Sequence, residues 1–331
     1  MKILITDYPE TIKRDTSLEE KIIKEGIPDA EIIKYVYDGN KQNLMEVMTD
    51  CAAVKTAFVM IDKEIMDSCP TLKCISFNSS GYNFVDLEYA DRKGIGVTAI
   101  GEYCTDEVAD HTMALLLSLN RGIKRYIRLI DSEKLWQYKA VNDLPSLKGK
   151  NLAVMGFGKI GRAVSQRAKA FGMNIMAYDP YVNKDIIPQF GAQPAELKDV
   201  FEKADIISNH MLQTEKNLNF YNSEFFGSLK KRPLFINVAR GGCVHETALL
   251  AALKNNMISG AGLDVFKSED PDLENNPFVG MDNVIITPHA AFYSNESLVR
   301  LQEISSRNLV FYLKKEYDKV NRIVNDIKKP Q

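Results

Sequence analysis

The segment Asn151–Gly161, NLAVMGFGKIG, restricts the possible folds of this chain more than any other stretch. A short apolar run leads directly into Gly156, Gly158 and Gly161, and the apolar positions Ala163, Val164, Ala168 and Phe171 continue with helical spacing. Glycine at those three places provides a tight turn, close backbone approach to a pyrophosphate, and close packing of helix on strand. Taken alone, a GxGxxG pattern also occurs in ordinary turns. The next apolar run, NIMAY, ends at Asp179, 18 residues after Gly161, where a carboxylate can accept hydrogen bonds from ribose hydroxyls. The same charge repels a 2′-phosphate, so NAD is expected in preference to NADP. A turn-forming aspartate before Pro180 is the plain alternative. Strand, glycines, helix and acid in register favour the dinucleotide.

That first strand opens a series: Asn151–Met155, Asn174–Tyr178, Asp205–Asn209, Leu234–Val238, Gly260–Asp264 and Val284–Thr287. Short apolar runs separated by helical patterns predict a doubly wound parallel sheet, an α/β architecture. Upstream, Met1–Thr6, Ala57–Ile61, Leu72–Phe77 and Gly94–Ala99 read as buried strands, with helical spacing at Ser17–Glu25 and Gln42–Met48. A long, mostly apolar helix follows, capped at Thr105 or Asp106. After Pro288 the pattern is helical from about Glu296 to Tyr317, with no later strand, so the chain is expected to cross back onto the first sheet. With 331 residues, at roughly 100 to 200 per domain, two domains are expected. The nucleotide domain should cover 102–292, and a discontinuous substrate domain 1–101 and 293–331.

Composition excludes several partners. Lysine and arginine number 42 against 44 acids, so there is no basic excess for a phosphate backbone. The longest strongly apolar stretch, Met113–Leu119, is far short of the ~20 residues that span a bilayer. The N-terminus lacks the features of a signal peptide, and five irregularly spaced cysteines read as free thiols without a zinc pattern, so a cytoplasmic protein without a metal is expected.

Three residues suggest chemistry. Arg240 follows FINVA and precedes two glycines, Glu269 lies five residues beyond Asp264, and His289 follows NVIITP. Each falls just past the carboxyl end of an expected strand, where open α/β sheets bind ligands. Arginine offers a planar fork to a carboxylate. Histidine exchanges a proton near neutrality, and a neighbouring carboxylate orients its ring. Singly these are an ordinary ion pair, a loop acid and a strand-end histidine. Together, after a nucleotide fold, they are what reduction of a 2-oxo acid requires. His111 and His245 lack such company and read as structural or surface groups.

The chain resembles the D-isomer-specific 2-hydroxyacid dehydrogenase family through SSGYNFVD (79–86), TDEVADHT (105–112), VMGFGKIGRAV (154–164), INVARGG (236–242), GLDVFKSEDP (262–271) and TPHAAFYS (287–294), in family order. The last segment is most similar to the C-terminal-binding-protein-like branch, with Phe292 in place of a tryptophan. The resemblance implies a Rossmann NAD-binding domain inserted into a flavodoxin-like substrate domain, use of NADH, and a homodimer. By position it implies catalytic roles for Arg240, Glu269 and His289. It implies cofactor contacts at Ser80, Thr112, Gly156, Phe157, Gly158, Lys159, Ile160, Gly161, Asp179, His210, Val238, Ala239, Asp264 and Ala291. Substrate contacts are implied at Ser80, Gly81, Tyr103, Arg240 and Phe292. Two departures stand out: HMLQTEKN (210–217) replaces a proline-containing run, and Lys267 stands where many members have an acid.

The expected function is NADH-dependent reduction of a small 2-oxo acid, with His289 as proton donor. The alternative is an NADH-sensing, corepressor-like binding protein with vestigial catalysis, against which the complete trio argues. Reduction of a phosphorylated hydroxy acid ranks lower, because 331 residues leave no room for an appended regulatory domain.

Overall fold

A computed structural model describes residues 1–326. The chain divides into two compact units, one formed by Met1–Tyr103 and the chain from Ser294 onward, the other by Cys104–Tyr293.

The first unit is built on five parallel strands: β1 (Lys2–Asp7), β2 (Glu31–Val36), β3 (Cys51–Thr56), β4 (Cys74–Phe77) and β5 (Gly96–Thr98). Their spatial order is β2-β1-β3-β4-β5, the flavodoxin-like arrangement with a switch point between β1 and β3. Two expectations need correction here. The strand lies at Cys51–Thr56, not Ala57–Ile61, and β2 was not anticipated. Residues Cys51–Ile61 are apolar except for Thr56 and Lys55, the latter fully buried in β3 against Glu19 and Asn78. Ladder pairing with β1 and β4 selects the earlier part of that run.

The returning helix Asn295–Leu313 closes this unit. Its Ser305 hydroxyl donates to Asn78 Oδ1 at 2.8 Å, and the Ser305 carbonyl accepts from Ser76 Oγ at 2.9 Å. The buried polar contacts tie the helix to the end of β4.

The second unit carries seven parallel strands: β6 (Asn151–Met155), β7 (Asn174–Tyr178), β8 (Gln193–Pro194), β9 (Ile206–Asn209), β10 (Leu234–Asn237), β11 (Gly260–Leu263) and β12 (Val284–Ile286). Their order is β12-β11-β10-β9-β6-β7-β8, a Rossmann sheet whose switch point lies between β6 and β9. The six expected strands are present, and two-residue β8 adds a seventh at the edge. Helix Thr105–Asn120 packs on helix Lys159–Ala170 and on the sheet; its N-cap position is Cys104, rather than Thr105 or Asp106 as expected from the sequence. Gly262 of β11 lets this helix approach closely, since a Cβ there would lie 3.1 Å from Leu115 Cβ. Among the described residues no helix is long and apolar enough to cross a membrane.

Candidate active site

The nucleotide cradle forms where β6 turns into helix Lys159–Ala170. Gly156 has φ +93°, a left-handed conformation that disfavours any side chain, and a Cβ there would meet the His210 and Met211 backbone at 2.7–2.8 Å. A Cβ on Gly161 would overlap the Gly156 carbonyl, so this glycine permits the close strand-to-helix approach. Gly158 differs, having open space around its missing Cβ and leading a helix without a side-chain N-cap. A helix N-terminus favours an anion. At the end of β7, Asp179 Oδ2 accepts from Phe157 N–H at 2.8 Å and Oδ1 from Tyr181 N–H at 2.9 Å. Two amides thus hold the carboxylate beside the glycine turn. An uncapped, open helix start next to a fixed acid fits a pyrophosphate joined to a ribose.

The reactive groups gather past the carboxyl ends of β10, β11 and β12. Gly241 lies so close to the Phe266 carbonyl that a Cβ would overlap it, which brings the loops after β10 and β11 together. Asn237 organises the first loop: its Nδ2 donates to the Arg240 carbonyl at 3.1 Å, and its Oδ1 accepts from Ala239 N–H and from Asn209 Nδ2. The second loop is pinned by Lys267 N–H donating to Glu246 Oε1 at 2.8 Å. His289 Nδ1 and Glu269 Oε2 are 2.6 Å apart. This hydrogen bond, aided by the charge of Arg240, holds the Glu269 carboxyl below the usual range of a glutamate, against the opposing effect of partial burial. An ionised carboxylate only accepts, so Nδ1 carries the proton of that bond and Nε2 is left for a substrate. Phe292 packs edge to face on the His289 ring, with centroids 6.2 Å apart. Arg240, Glu269 and His289 are therefore neighbours within one unit.

His289 adopts φ +50°, uncommon for a non-glycine residue. Asp264, just beyond β11 and fully buried, holds the turn: Oδ1 accepts from Ala290 N–H at 2.8 Å, Oδ2 from Ala291 N–H at 3.0 Å, and its carbonyl from His289 N–H at 2.8 Å. Thr287 Oγ1 donates to the same Oδ1 at 2.5 Å, and His111 Nε2 lies 2.9 Å from Thr287 Oγ1. His111 thus has company that its sequence neighbours do not reveal. No sequence signal pairs it with Thr287, 176 positions away.

Other expected contacts are distributed as follows. Phe157 is buried, its ring edge to face on Phe190, whereas Lys159 and Ile160 open the helix at the cradle. Thr112 is fully buried and its hydroxyl donates to the Val108 carbonyl, which leaves a ligand no exposed atom there. Val238, directly after β10, and Ala291, in the turn that follows β12, are both buried. His210 bonds Ser208 Oγ through Nε2 at 2.8 Å, its Nδ1 is buried without a hydrogen-bond partner in the protein, and burial pushes its pKa down to about 3. His245 caps helix Glu246–Lys254, accepting from Ala248 N–H. The divergent loop after His210 is closed on itself by Asn217, which accepts from Thr214 N–H and donates to the Leu212 carbonyl. In the first unit, Ser80 and Gly81 lie in the loop after β4, with open space around the Gly81 Cα, and the Tyr103 carbonyl accepts from Arg300. Among the described residues no group of three or more His, Cys, Asp or Glu side chains could hold a metal ion.

Comparison with known proteins agrees with this geometry. Residues 113–291 match the family described as D-isomer specific 2-hydroxyacid dehydrogenase, NAD binding domain. A glyoxylate reductase of Korarchaeum cryptofilum is 32% identical over 88% of this chain and 89% of its own length. One from Thermofilum pendens is 36% identical over 86% and 82%. The chain belongs to the D-isomer-specific 2-hydroxyacid dehydrogenases. The structure of the D-lactate dehydrogenase of Aquifex aeolicus, complexed with NAD and lactic acid, matches this dehydrogenase at a TM-score of 0.84 and 27% identity, over 99% of this chain and 100% of that one. As a member of the family it is an NAD-dependent oxidoreductase, and the open glycine cradle beside Asp179 fits that cofactor.

Proposed function

We propose that this dehydrogenase reduces a small 2-oxo acid to the D-2-hydroxy acid, using NADH in preference to NADPH. The observation that carries the reading is the 2.6 Å bond between His289 and Glu269, formed within electrostatic reach of Arg240 at the ligand-binding edge of a nucleotide sheet. NADH, when bound, supplies a hydride to the keto carbon. Arg240 holds the substrate carboxylate, and by family resemblance the backbone amides of Ser80 and Gly81 hold the same group. His289 Nε2 gives its proton to the carbonyl oxygen as the carbon–oxygen double bond becomes single, and the ring is left neutral. Glu269 supports the doubly protonated ring before transfer and fixes its orientation throughout. Microscopic reversibility lets the same groups serve oxidation.

Names of the relatives support a small substrate: glyoxylate reductases, a hydroxypyruvate reductase and a D-lactate dehydrogenase. Phe292 supplies an apolar wall beside His289, and Tyr103 is proposed as a further lining residue. Asp179, fixed by two amides, disfavours a 2′-phosphate. We further propose a nucleotide domain of 102–292 inserted into a substrate domain of 1–101 and 293–331, a homodimer, and a cytoplasmic location in keeping with five free cysteines.

The test is the loss of NADH absorbance on mixing the protein with glyoxylate, hydroxypyruvate, pyruvate and longer 2-oxo acids, followed by chiral analysis of the product. Turnover to a D-2-hydroxy acid supports the reading. Tight NADH binding with no turnover of any of them would favour the sensing protein instead.

A further inference from the structure

We infer that His111 is a positioning residue for His289, acting through Thr287 and Asp264; the inference rests on the proposed role of His289. The reasoning begins with counting protons. Thr287 has one hydroxyl hydrogen, and it lies on Asp264 Oδ1 at 2.5 Å. A carboxylate accepts only, so this hydrogen is committed and Thr287 Oγ1 is left as an acceptor. His111 Nε2, 2.9 Å away, must then be the donor. The bond assigns the tautomer: His111 carries hydrogen on Nε2. The same nitrogen stands 3.5 Å from Asp264 Oδ1, so its N–H dipole also faces the carboxylate.

What this chain of bonds holds is the turn 287–291. Asp264 grips Thr287 by its hydroxyl and Ala290 and Ala291 by their amides, while its own carbonyl takes the His289 amide. The residue between these grips is in a left-handed conformation that a side chain keeps only where its surroundings impose it. His289 therefore has two separate supports. Glu269 orients the ring from a loop in which its own side chain is 64% exposed. Asp264, with a side chain that is fully buried, fixes where the backbone starts from. Orientation by Glu269 is useful only if the Cα is already placed, and small misplacements of a reacting group are costly in rate. His111 contributes from outside the turn, on the packed helix Thr105–Asn120, and completes the hydrogen bonding of Thr287.

The test has a spectroscopic arm and a kinetic arm. With four histidines in the chain, nitrogen-15 labelling of histidine allows the ring tautomers to be read in the intact protein. The expected result for His111, assigned by its absence from His111→Gln, is hydrogen on Nε2; a neutral ring with hydrogen on Nδ1 alone overturns the inference, whatever the activity. In the kinetic arm, with glyoxylate as probe, His111→Phe is expected to lower kcat about tenfold and leave the KM for NADH nearly unchanged. His111→Gln, which restores an N–H donor, should recover most of the loss. Thr287→Val should match His111→Phe, and the double variant should be no worse than Thr287→Val. Wild-type kcat in His111→Phe, or losses that simply add, would overturn the inference. Absence of turnover by the wild-type protein counts against the proposed function, and the tautomer then decides the inference alone.

Discussion

His289 and Glu269, 20 positions apart, meet at 2.6 Å, and the acid is the more exposed partner, 64% against 37% for the histidine side chain. An exposed pair contributes little to folding. Under the proposed function the contact serves reactivity, and the two should separate in experiment. His289→Ala is expected to lower kcat by on the order of 10²–10⁴-fold with NADH affinity retained. Glu269→Gln should lower kcat by less and leave thermal unfolding nearly unchanged, since the amide can still contact Nδ1 but no longer favours the charged ring. Equal loss of NADH binding and turnover in His289→Ala would remove its assigned role.

The two glycines that open the cradle should respond differently to alanine. At Gly156 a methyl group would meet the His210 and Met211 backbone at 2.7–2.8 Å in a left-handed conformation, so Gly156→Ala should destabilise the fold by about 1–3 kcal/mol, read by urea unfolding. Gly158 has an ordinary φ of −73° and open space around it. Gly158→Ala should keep wild-type stability but weaken NADH binding at least tenfold, read by fluorescence titration. Wild-type NADH affinity in that variant would mean that the open space is not the pyrophosphate berth.

Asp179 sets the preference between the two nicotinamide cofactors if its charge faces the ribose. Asp179→Asn keeps a side-chain oxygen that can accept from Phe157 N–H and removes the charge. The ratio of NADPH to NADH affinity should rise at least tenfold, mainly through loss of repulsion. An unchanged ratio would show that the ribose lies elsewhere.

Much of this architecture was legible because the strands of the second unit are short, buried, apolar runs bounded by turns. The first unit was harder for identifiable reasons. β2, EIIKYV, lies at a sheet edge with half its surface open, so its run looks neither buried nor strictly alternating. β3 contains Lys55, which reads as polar in sequence yet is fully enclosed, with burial lowering its pKa to about 8. In the site, Arg240, Glu269 and His289 announce themselves by falling at strand ends. The supports do not: Asn237, Asp264, Thr287 and His111 act through contacts between distant segments. Asp264 was expected from resemblance to touch the cofactor; the bonds its oxygens make in the structure are to the turn 287–291.

His210 gives the fold a defined sensitivity to acid. Its folded pKa is about 3 because of burial, against roughly 6.5 for an unperturbed histidine. The unfolded chain therefore binds one more proton than the folded chain across that window. The contribution is complete above the unfolded value and is lost as pH falls toward the folded one. The slope is at most about 1.4 kcal/mol per pH unit for one proton, or about 2 kcal/mol between neutrality and pH 5. His210→Gln cannot take up that proton and should lose about 2 kcal/mol less than wild type over the same interval, measured by urea unfolding. Identical pH dependence in both proteins would show that this ring does not stay neutral in the fold.

Helix Ile123–Glu133 presents Ile123, Ile127 and Ile130 to solvent at 44%, 53% and 40% exposure, followed by Leu135, Trp136 at 89% and Tyr138 at 77%. The isoleucines recur at helical spacing on one face, and the aromatic residues extend the apolar surface beyond the helix end. Exposed patches of this kind mark surfaces that are covered by another molecule. The proposed homodimer supplies the covering, and a twofold contact would bring the same residues of each copy together. Ile127→Glu places a charge at the middle of the face and should convert the dimer to monomer at micromolar concentration, measured by light scattering after size exclusion. Lys13→Glu, on the other unit and outside this face, is the control and should leave the mass unchanged. A wild-type monomer, or an Ile127→Glu variant that remains dimeric, would remove this surface from the assembly.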